Sequence, residues 1–336
     1  RKQVSDLIIS VIRLVDYGRD LERQLNLYVD CRRAFTQLHM VTFELVVRVC
    51  LLAVKAYRFM KGKHNRKTSA FVKACLAYMH ITVPSLDGAF LKLRLYLQCG
   101  QVALVNNMVS QGEAFLKSAV QLIPEVPESI QHTTNGRTTK IDTEPEMLPY
   151  TLNLASFLLV FPGHPKNGPF HLVKGLLNAV QKYPPWQNAC VGKCKLYLGL
   201  VRLFSTFAQR KFPYHVNRVD SNDTLFGSNE IYIKSLTHFT NTLITQTLNQ
   251  LHGIVEGKDK DKTAKASQSE LALDLVNILT STMTMNKQSA TLVVKLYRLA
   301  AGVKETDKYR ERTLSHIESK RGTWYQDIVA RLKVNG

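Results

Sequence analysis

Leu38-His-Met-Val-Thr-Phe-Glu-Leu-Val-Val-Arg-Val-Cys-Leu-Leu-Ala-Val-Lys-Ala-Tyr-Arg-Phe-Met60 decides the fold class. Its apolar residues Val41, Leu45, Val49, Leu52, Ala56 and Phe59 recur at steps of three or four, one continuous stripe of an α-helix. Lys61-Gly62-Lys63 breaks that helix. The next begins around Lys67 and carries Phe71, Cys75, Tyr78 and Met79 or Thr82 on one side. Pro84 ends it, and Ser85 with Asp87 supplies cap chemistry for a helix running to Cys99. Gly100 is expected to separate this helix from a further pair, 102–109 and 113–122, closed by Ile123-Pro124.

The same rhythm runs in both directions from there. Arg1 to Val11 already reads as the inside of an amphipathic helix, so the chain is expected to be a C-terminal piece of something longer. Further helices are expected over 147–161, 168–182, 188–209, 228–256, 268–284, 287–301 and 306–319, with a short one around 323–333. Helix pairs spaced 35 to 45 residues apart, without a strict period of 34, fit HEAT-like repeats rather than a tetratricopeptide array. The expectation is an all-α, HEAT-like α-solenoid of antiparallel helix pairs over 1–336. Three loops interrupt it. The first, near 124–149, has four prolines, an Asn135-Gly136 turn and a cluster of threonines; the others lie near 210–228 and 257–265.

Composition supports a packed helical chain. Apolar residues make up 45 % of the 336, while only 11 prolines and 17 glycines punctuate them. The longest apolar block, Leu148 to Phe161, is interrupted by Asn153 and Ser156 and falls short of the roughly eighteen residues of a membrane span. Cys31, Cys50, Cys75, Cys99, Cys190 and Cys194 lie among apolar helical residues without a C-x-x-C pair, the pattern of reduced thiols in the cytosol. The Asn222-Asp223-Thr224 sequon then has no glycosylation to report.

Catalytic chemistry finds no motif. Glycine-rich phosphate loops, H-E-x-x-H and G-x-S-x-G do not occur. The nearest histidines, His164 and His171, flank a Pro/Gly turn and read as cap or surface residues. No catalytic, cofactor or metal residue is therefore assigned, and a binding scaffold is expected in place of an enzyme.

The net charge of +19 calls for an acidic partner, an anionic membrane surface or nucleic acid. Lys61, Lys63, Arg66 and Lys67, with His64 between them, form the densest basic cluster. It reads either as a solvated turn or as a contact for an acidic coiled coil or anionic phospholipid. The aromatic residues occupy core-periodic positions rather than interleaving with the cations, so a nucleic-acid-binding helical repeat is the alternative and not the first reading. Tyr183-Pro-Pro-Trp186 is either an exposed partner anchor or the packing of a turn. Leu225 and Phe226 lie stranded in a polar loop and are contact candidates for that reason.

Several runs together resemble a known family. They are Val15-Asp-Tyr-Gly-Arg-Asp-Leu-Glu-Arg-Gln-Leu-Asn-Leu-Tyr-Val-Asp-Cys-Arg-Arg-Ala-Phe35, Met60-Lys-Gly-Lys-His-Asn-Arg-Lys-Thr-Ser-Ala-Phe-Val-Lys-Ala-Cys75, Thr82-Val-Pro-Ser-Leu86, Leu95-Tyr-Leu-Gln-Cys-Gly-Gln-Val-Ala-Leu104, Leu122-Ile-Pro-Glu-Val-Pro127 and Val219-Asp-Ser-Asn-Asp-Thr-Leu-Phe-Gly227. In this order they resemble the C-terminal half of the vacuolar-protein-sorting-35-like family, the large α-solenoid of the Retriever endosomal recycling complex and a relative of the retromer large subunit. The likeness is dense over 15–127, patchier to 256, and beyond that rests on helical pattern.

The resemblance implies a non-catalytic scaffold, cytoplasmic and peripheral on endosomes, whose C-terminal solenoid cradles a small metallophosphoesterase-fold subunit. It also implies an arrestin-like subunit bound through the missing N-terminal part, and an extended N-terminal segment reinforcing the small-subunit contact. A coiled-coil/COMM-domain complex and a sorting nexin that brings cargo complete the implied partners. No nucleic acid, cofactor or metal belongs to this picture.

Overall fold

In a computed structural model of the chain, residues 2–134, 137–163, 167–209, 220–227, 229–256 and 262–333 are described. Most of them are helical. The helices are α1 (Lys2–Leu14), α2 (Leu21–Ala34), α3 (His39–Phe59), α4 (Arg66–Thr82), α5 (Ala89–Val105) and α6 (Val109–Leu122), then α7 (Glu144–Val160), α8 (His171–Lys182) and α9 (Val191–Gln209). After these come α10 (Asn222–Phe226), α11 (Glu230–Glu256), α12 (Lys262–Thr282), α13 (Lys287–Leu299), α14 (Asp307–Glu318) and α15 (Thr323–Lys333). The all-α class is therefore as expected, and helices pack chiefly on neighbours in sequence. No described helix is long and apolar enough to cross a membrane.

The chain divides into two compact units. The first comprises Arg1–Pro127, Phe157–Tyr183 and Tyr214–Asn222, the second Glu128–Ser156, Pro184–Pro213 and Asp223–Gly336. In the first, the α3 stripe does what its spacing demands: Val41, Leu45, Val49, Leu52 and Ala56 are buried. Phe59, the last residue of the stripe, is the exception and stays half exposed. Across from α3, α4 contributes Val72, Cys75, Leu76 and Met79, and α5 contributes Leu93, Leu95 and Cys99. Fully burying an aliphatic side chain of this size stabilises by about 1.5–3 kcal/mol, so this cluster is the unit's main hydrophobic resource.

Two local expectations are corrected here. Gly100 does not break a helix, because α5 runs through it to Val105. A Cβ at Gly100 would come within 2.9 Å of Leu116 of α6, and one at Gly112 within 3.0 Å of Phe161. The glycines allow close helix approach and do not punctuate. Nor do Ser85 and Asp87 cap α5, whose N-cap position is Gly88. The Ser85 hydroxyl donates to the Thr82 carbonyl (2.7 Å), and Asp87 pairs with His39 (2.7 Å).

In the second unit α9, α11 and α12 pack on one another and α13–α15 extend the set. Phe204 of α9 meets Phe239 of α11 with ring centroids 5.6 Å apart, and Leu271, Leu275 and Leu279 line the buried face of α12. Asn286 caps α13 through a reciprocal box with Ser289, an arrangement worth about 1 kcal/mol.

The segment near 124–149 is not one loop. A single 3-10 turn, Ile123–Glu125, is followed by an antiparallel hairpin of β1 (Ser129–Thr134) and β2 (Arg137–Asp142), in register from Ser129↔Asp142 to Thr134↔Arg137. Thr143 closes its base, its backbone N–H and hydroxyl both donating to the Glu128 carbonyl at 2.9 Å. The β-branched residues Ile130, Thr133, Thr134, Thr138, Thr139 and Ile141 favour extended backbone, and prolines kept to the flanks leave the ladder intact. Asn135 and Gly136 lie outside the described residues, as do 210–219 and 228 of the second expected loop and 257–261 of the third. Lys262 to Lys265, assigned above to that third loop, form the first turn of α12.

Candidate partner-contact surfaces

The basic cluster sits on a tight turn between α3 and α4. Lys61 (φ 47°) and Gly62 (φ 75°) adopt left-handed backbone, the helix-ending geometry that lets the Gly62 N–H bond the Tyr57 carbonyl at 3.0 Å. A Cβ on Gly62 would sit 3.1 Å from the Tyr57 ring, so glycine is required on two counts. His64 Nε2 donates to Asn106 Oδ1 (2.9 Å), tying the turn to the one between α5 and α6. Asn65 and Thr68 then form a reciprocal capping box that starts α4. The turn is held by its backbone, and Lys61, Lys63, Arg66 and Lys67 are all exposed on it.

Tyr183 and Trp186 are corrected as contact candidates, since both are 0 % exposed. An anchor must be open to its partner, and these rings are already packed. The Trp186 indole N–H donates to Glu144 Oε1 (2.9 Å), which satisfies the polar atom of an otherwise apolar ring. Gly192, at the start of α9, lies so close beneath the Glu144 carboxylate that a Cβ has no room there.

Leu225 and Phe226 are found on a helical turn, α10, and not in an unstructured loop. Leu225 is 48 % exposed and keeps its place as a candidate. Phe226 is partly covered by Tyr232, whose ring stacks on it at 6.0 Å and 24°. The sequon asparagine is buried. Asn222 accepts from the Gly163 N–H (2.8 Å) and donates to the Leu159 carbonyl (3.1 Å), so its amide holds a loop and is closed to a glycosyl group.

The titratable groups serve structure. His171, at the start of α8, bonds Glu113 of α6 (3.1 Å), which also pairs with Lys117 (2.7 Å); His164 lies outside the described residues. Glu44 of α3 is gripped by Arg13 of α1 through two donors at 2.8 Å and by Arg48 at 2.7 Å. The Arg13 hydrogen bond, with Arg48 adding to it, holds the Glu44 carboxyl below the usual carboxylate range. All six cysteines are free thiols. Burial pushes Cys75 and Cys194 up to about 12, so both are protonated and unreactive near neutral pH. Among the described residues, no group of three or more His, Cys, Asp or Glu side chains is placed to hold a metal ion.

Three features are not apparent from the sequence. Val4, Leu7, Val11 and Leu14 of α1 are 53–83 % exposed and lie three or four apart, an apolar face pointing away from the core. Their spacing is plain in the sequence, but which stripe of a first helix is buried depends on its packing. Between α4 and α6 a groove of about 360 Å³ is floored by Leu76 and Phe115 and edged by Lys73, His80 and Gln111. In the second unit, a polar cleft of about 540 Å³ between α9 and α12 is lined by Lys195, Arg202, Glu270 and Asp274.

The whole chain, residues 1–336, matches a family model described as the VPS35L C-terminal domain. Curated proteins named VPS35 endosomal protein sorting factor-like align along nearly all of it. The one from Dictyostelium discoideum is 37 % identical over 339 residues, covering 98 % of this chain and 33 % of that protein. The Homo sapiens protein is 38 % identical over 323 residues, covering 95 % and 32 %. That of Drosophila melanogaster is 30 % identical over 301 residues, covering 89 % and 30 %. The chain thus spans about a third of the length of the curated relatives it matches.

Proposed function

The chain belongs to the VPS35L C-terminal-domain family of VPS35-like endosomal sorting factors, and from that premise we propose that it is a non-catalytic scaffold in endosomal protein sorting. The carrying observation is the match along the whole chain, end to end, to a domain whose relatives are named as sorting factors. The architecture suits such work. Helices packed in series present many side chains on successive helix ends and turns, so a partner can be held by a broad surface with no single motif. A stable interface needs roughly 800 Å² from each side, which a few adjacent helices supply.

The finer reading is that this is the end of a Retriever large subunit and that it cradles a small metallophosphoesterase-fold subunit. Contacts to an arrestin-like subunit fall to residues outside this chain, and the assembly works with a coiled-coil/COMM-domain complex and a sorting nexin on the cytoplasmic face of endosomes. The family assignment and the solvent-facing helical surfaces support this reading. Co-expression of the chain with the small subunit tests it: the two should purify together through affinity and size-exclusion steps. Elution as two separate species rules out the cradle.

A further inference from the structure

We propose that the α3–α4 turn is a docking surface for anionic membrane, with Phe59 as an apolar wedge at the edge of a cluster of five exposed cations. It goes beyond the scaffold role and relies on it only for the presence of a membrane nearby.

The charge distribution is one-sided to an unusual degree. From Leu45 to Leu86 there is no Asp or Glu, against eight Lys and Arg residues. Five of these, Arg58, Lys61, Lys63, Arg66 and Lys67, are exposed on the turn and its flanks. No ion pair holds Arg58, Lys63, Arg66 or Lys67 among the described residues. Asp16, the carboxylate that faces this end of α3, is already engaged by Lys55 at 3.0 Å.

Two of the cations stand where their own helix disfavours them. Arg66 and Lys67 are the first two residues of α4. A helix N-terminus carries partial positive charge and prefers acidic side chains. Local stability therefore does not explain these residues, and an external anion does.

Phe59 selects membrane over acidic protein. Its ring is 50 % exposed at the end of an otherwise buried stripe, with Lys55 Nζ 5.9 Å from the ring centroid. An apolar groove of this unit lies between α4 and α6, and a smaller pocket of about 170 Å³ that includes Lys55 is edged by Arg13, Asp16, Gln24 and Arg48; Phe59 lines neither. An exposed apolar ring at the edge of a cluster of exposed cations suits a surface that yields around it. Lipid does so: the cations meet headgroups while the ring enters the interfacial layer. The backbone bonds that fix the turn mean that little ordering is left to be done on binding.

Vesicle flotation of the intact chain decides the matter. The chain should float with phosphatidylcholine vesicles containing about 30 mol % phosphatidylserine and not with phosphatidylcholine alone. Raising salt from about 0.1 M to about 0.5 M should release it. The triple reversal Lys63→Glu, Arg66→Glu and Lys67→Glu should weaken binding about 100-fold or more. Folding is not at risk, because carboxylates in the first turn of α4 suit its dipole. Phe59→Ser should weaken binding about tenfold and leave the salt dependence unchanged. Phe59→Trp should show a blue shift on binding, read as a difference from the parent chain with its own Trp186 and Trp324.

Three results overturn the proposal: no binding to the anionic vesicles, equal binding by the triple variant, or an unshifted difference signal from the Phe59→Trp variant on vesicles that carry the protein. Full displacement by short polyglutamate at equal charge concentration also overturns it, in favour of an acidic polypeptide partner. None of these outcomes bears on capture of the small subunit, so this proposal and the scaffold reading fail separately.

Discussion

Two arginines from different helices close on Glu44, and the consequence is a pH dependence. The folded state holds this carboxyl below the usual range, so it binds fewer protons there than the unfolded chain does. The stabilisation is complete above the ordinary carboxylate pKa and is lost as pH falls through the lower, folded value. Glu44→Gln should flatten the acid limb of a stability–pH curve measured by urea unfolding. At neutral pH it should cost only about 1–2 kcal/mol, since Arg13 is 53 % exposed and water screens its half of the pair. A second residue-scale prediction concerns Gly192. Its Ala variant should push the Glu144 carboxylate away from Trp186 and lower stability by about 1–3 kcal/mol. Trp186 emission, sensitive to that hydrogen bond, should change with it. Neither Glu44 nor Glu144 could be singled out in the sequence. The partners of Glu44 lie 31 residues before it and 4 after, and Trp186 lies 42 after Glu144. Spacing within a helix is readable; a meeting between helices is not.

Among the elements, those set by local periodicity were readable and those set by contact were not. The α3 stripe and the Lys61-Gly62-Lys63 break follow from spacing and from the left-handed backbone a helix end needs. Gly100 misled because glycine has two uses, ending a helix and letting two approach, and only the position of Leu116 decides between them. The hairpin was missed although an Asn-Gly pair between β-branched runs is a known hairpin signal, because surrounding prolines argued for a loop. The exposure of α1 gives a sharp contrast to measure. Leu7→Ser and Leu14→Ser should change thermal stability by no more than about 0.5 kcal/mol, while Ile12→Ala, 4 % exposed on the opposite face, should cost about 2–4 kcal/mol. Equal losses on the two faces would mean that α1 is packed differently.

For the whole molecule, fold class and family were readable and the contact surface only in part. Helical periodicity sustained over most of the 336 residues leaves few alternatives to a helix-pair array, and the ordered family runs point to the same family as the relatives that align with the chain. Of the eight contact candidates, the four cations and Leu225 are exposed, Phe226 is partly covered, and Tyr183 and Trp186 belong to the core. Aromatic residues near prolines look alike in sequence whether they anchor a partner or fill a turn, because burial is decided by segments far away in the chain. The charge of +19 is likewise a property of the whole chain, and only its collection on one rigid turn gives it a direction. Titration calorimetry of the purified chain with the small metallophosphoesterase-fold subunit is the sharpest test of the proposal that this domain holds a specific subunit. One-to-one binding at micromolar affinity or tighter, with the negative heat-capacity change of apolar burial, is the result expected. Absence of heat at two temperatures, with the two proteins eluting separately at the same concentrations, would contradict it.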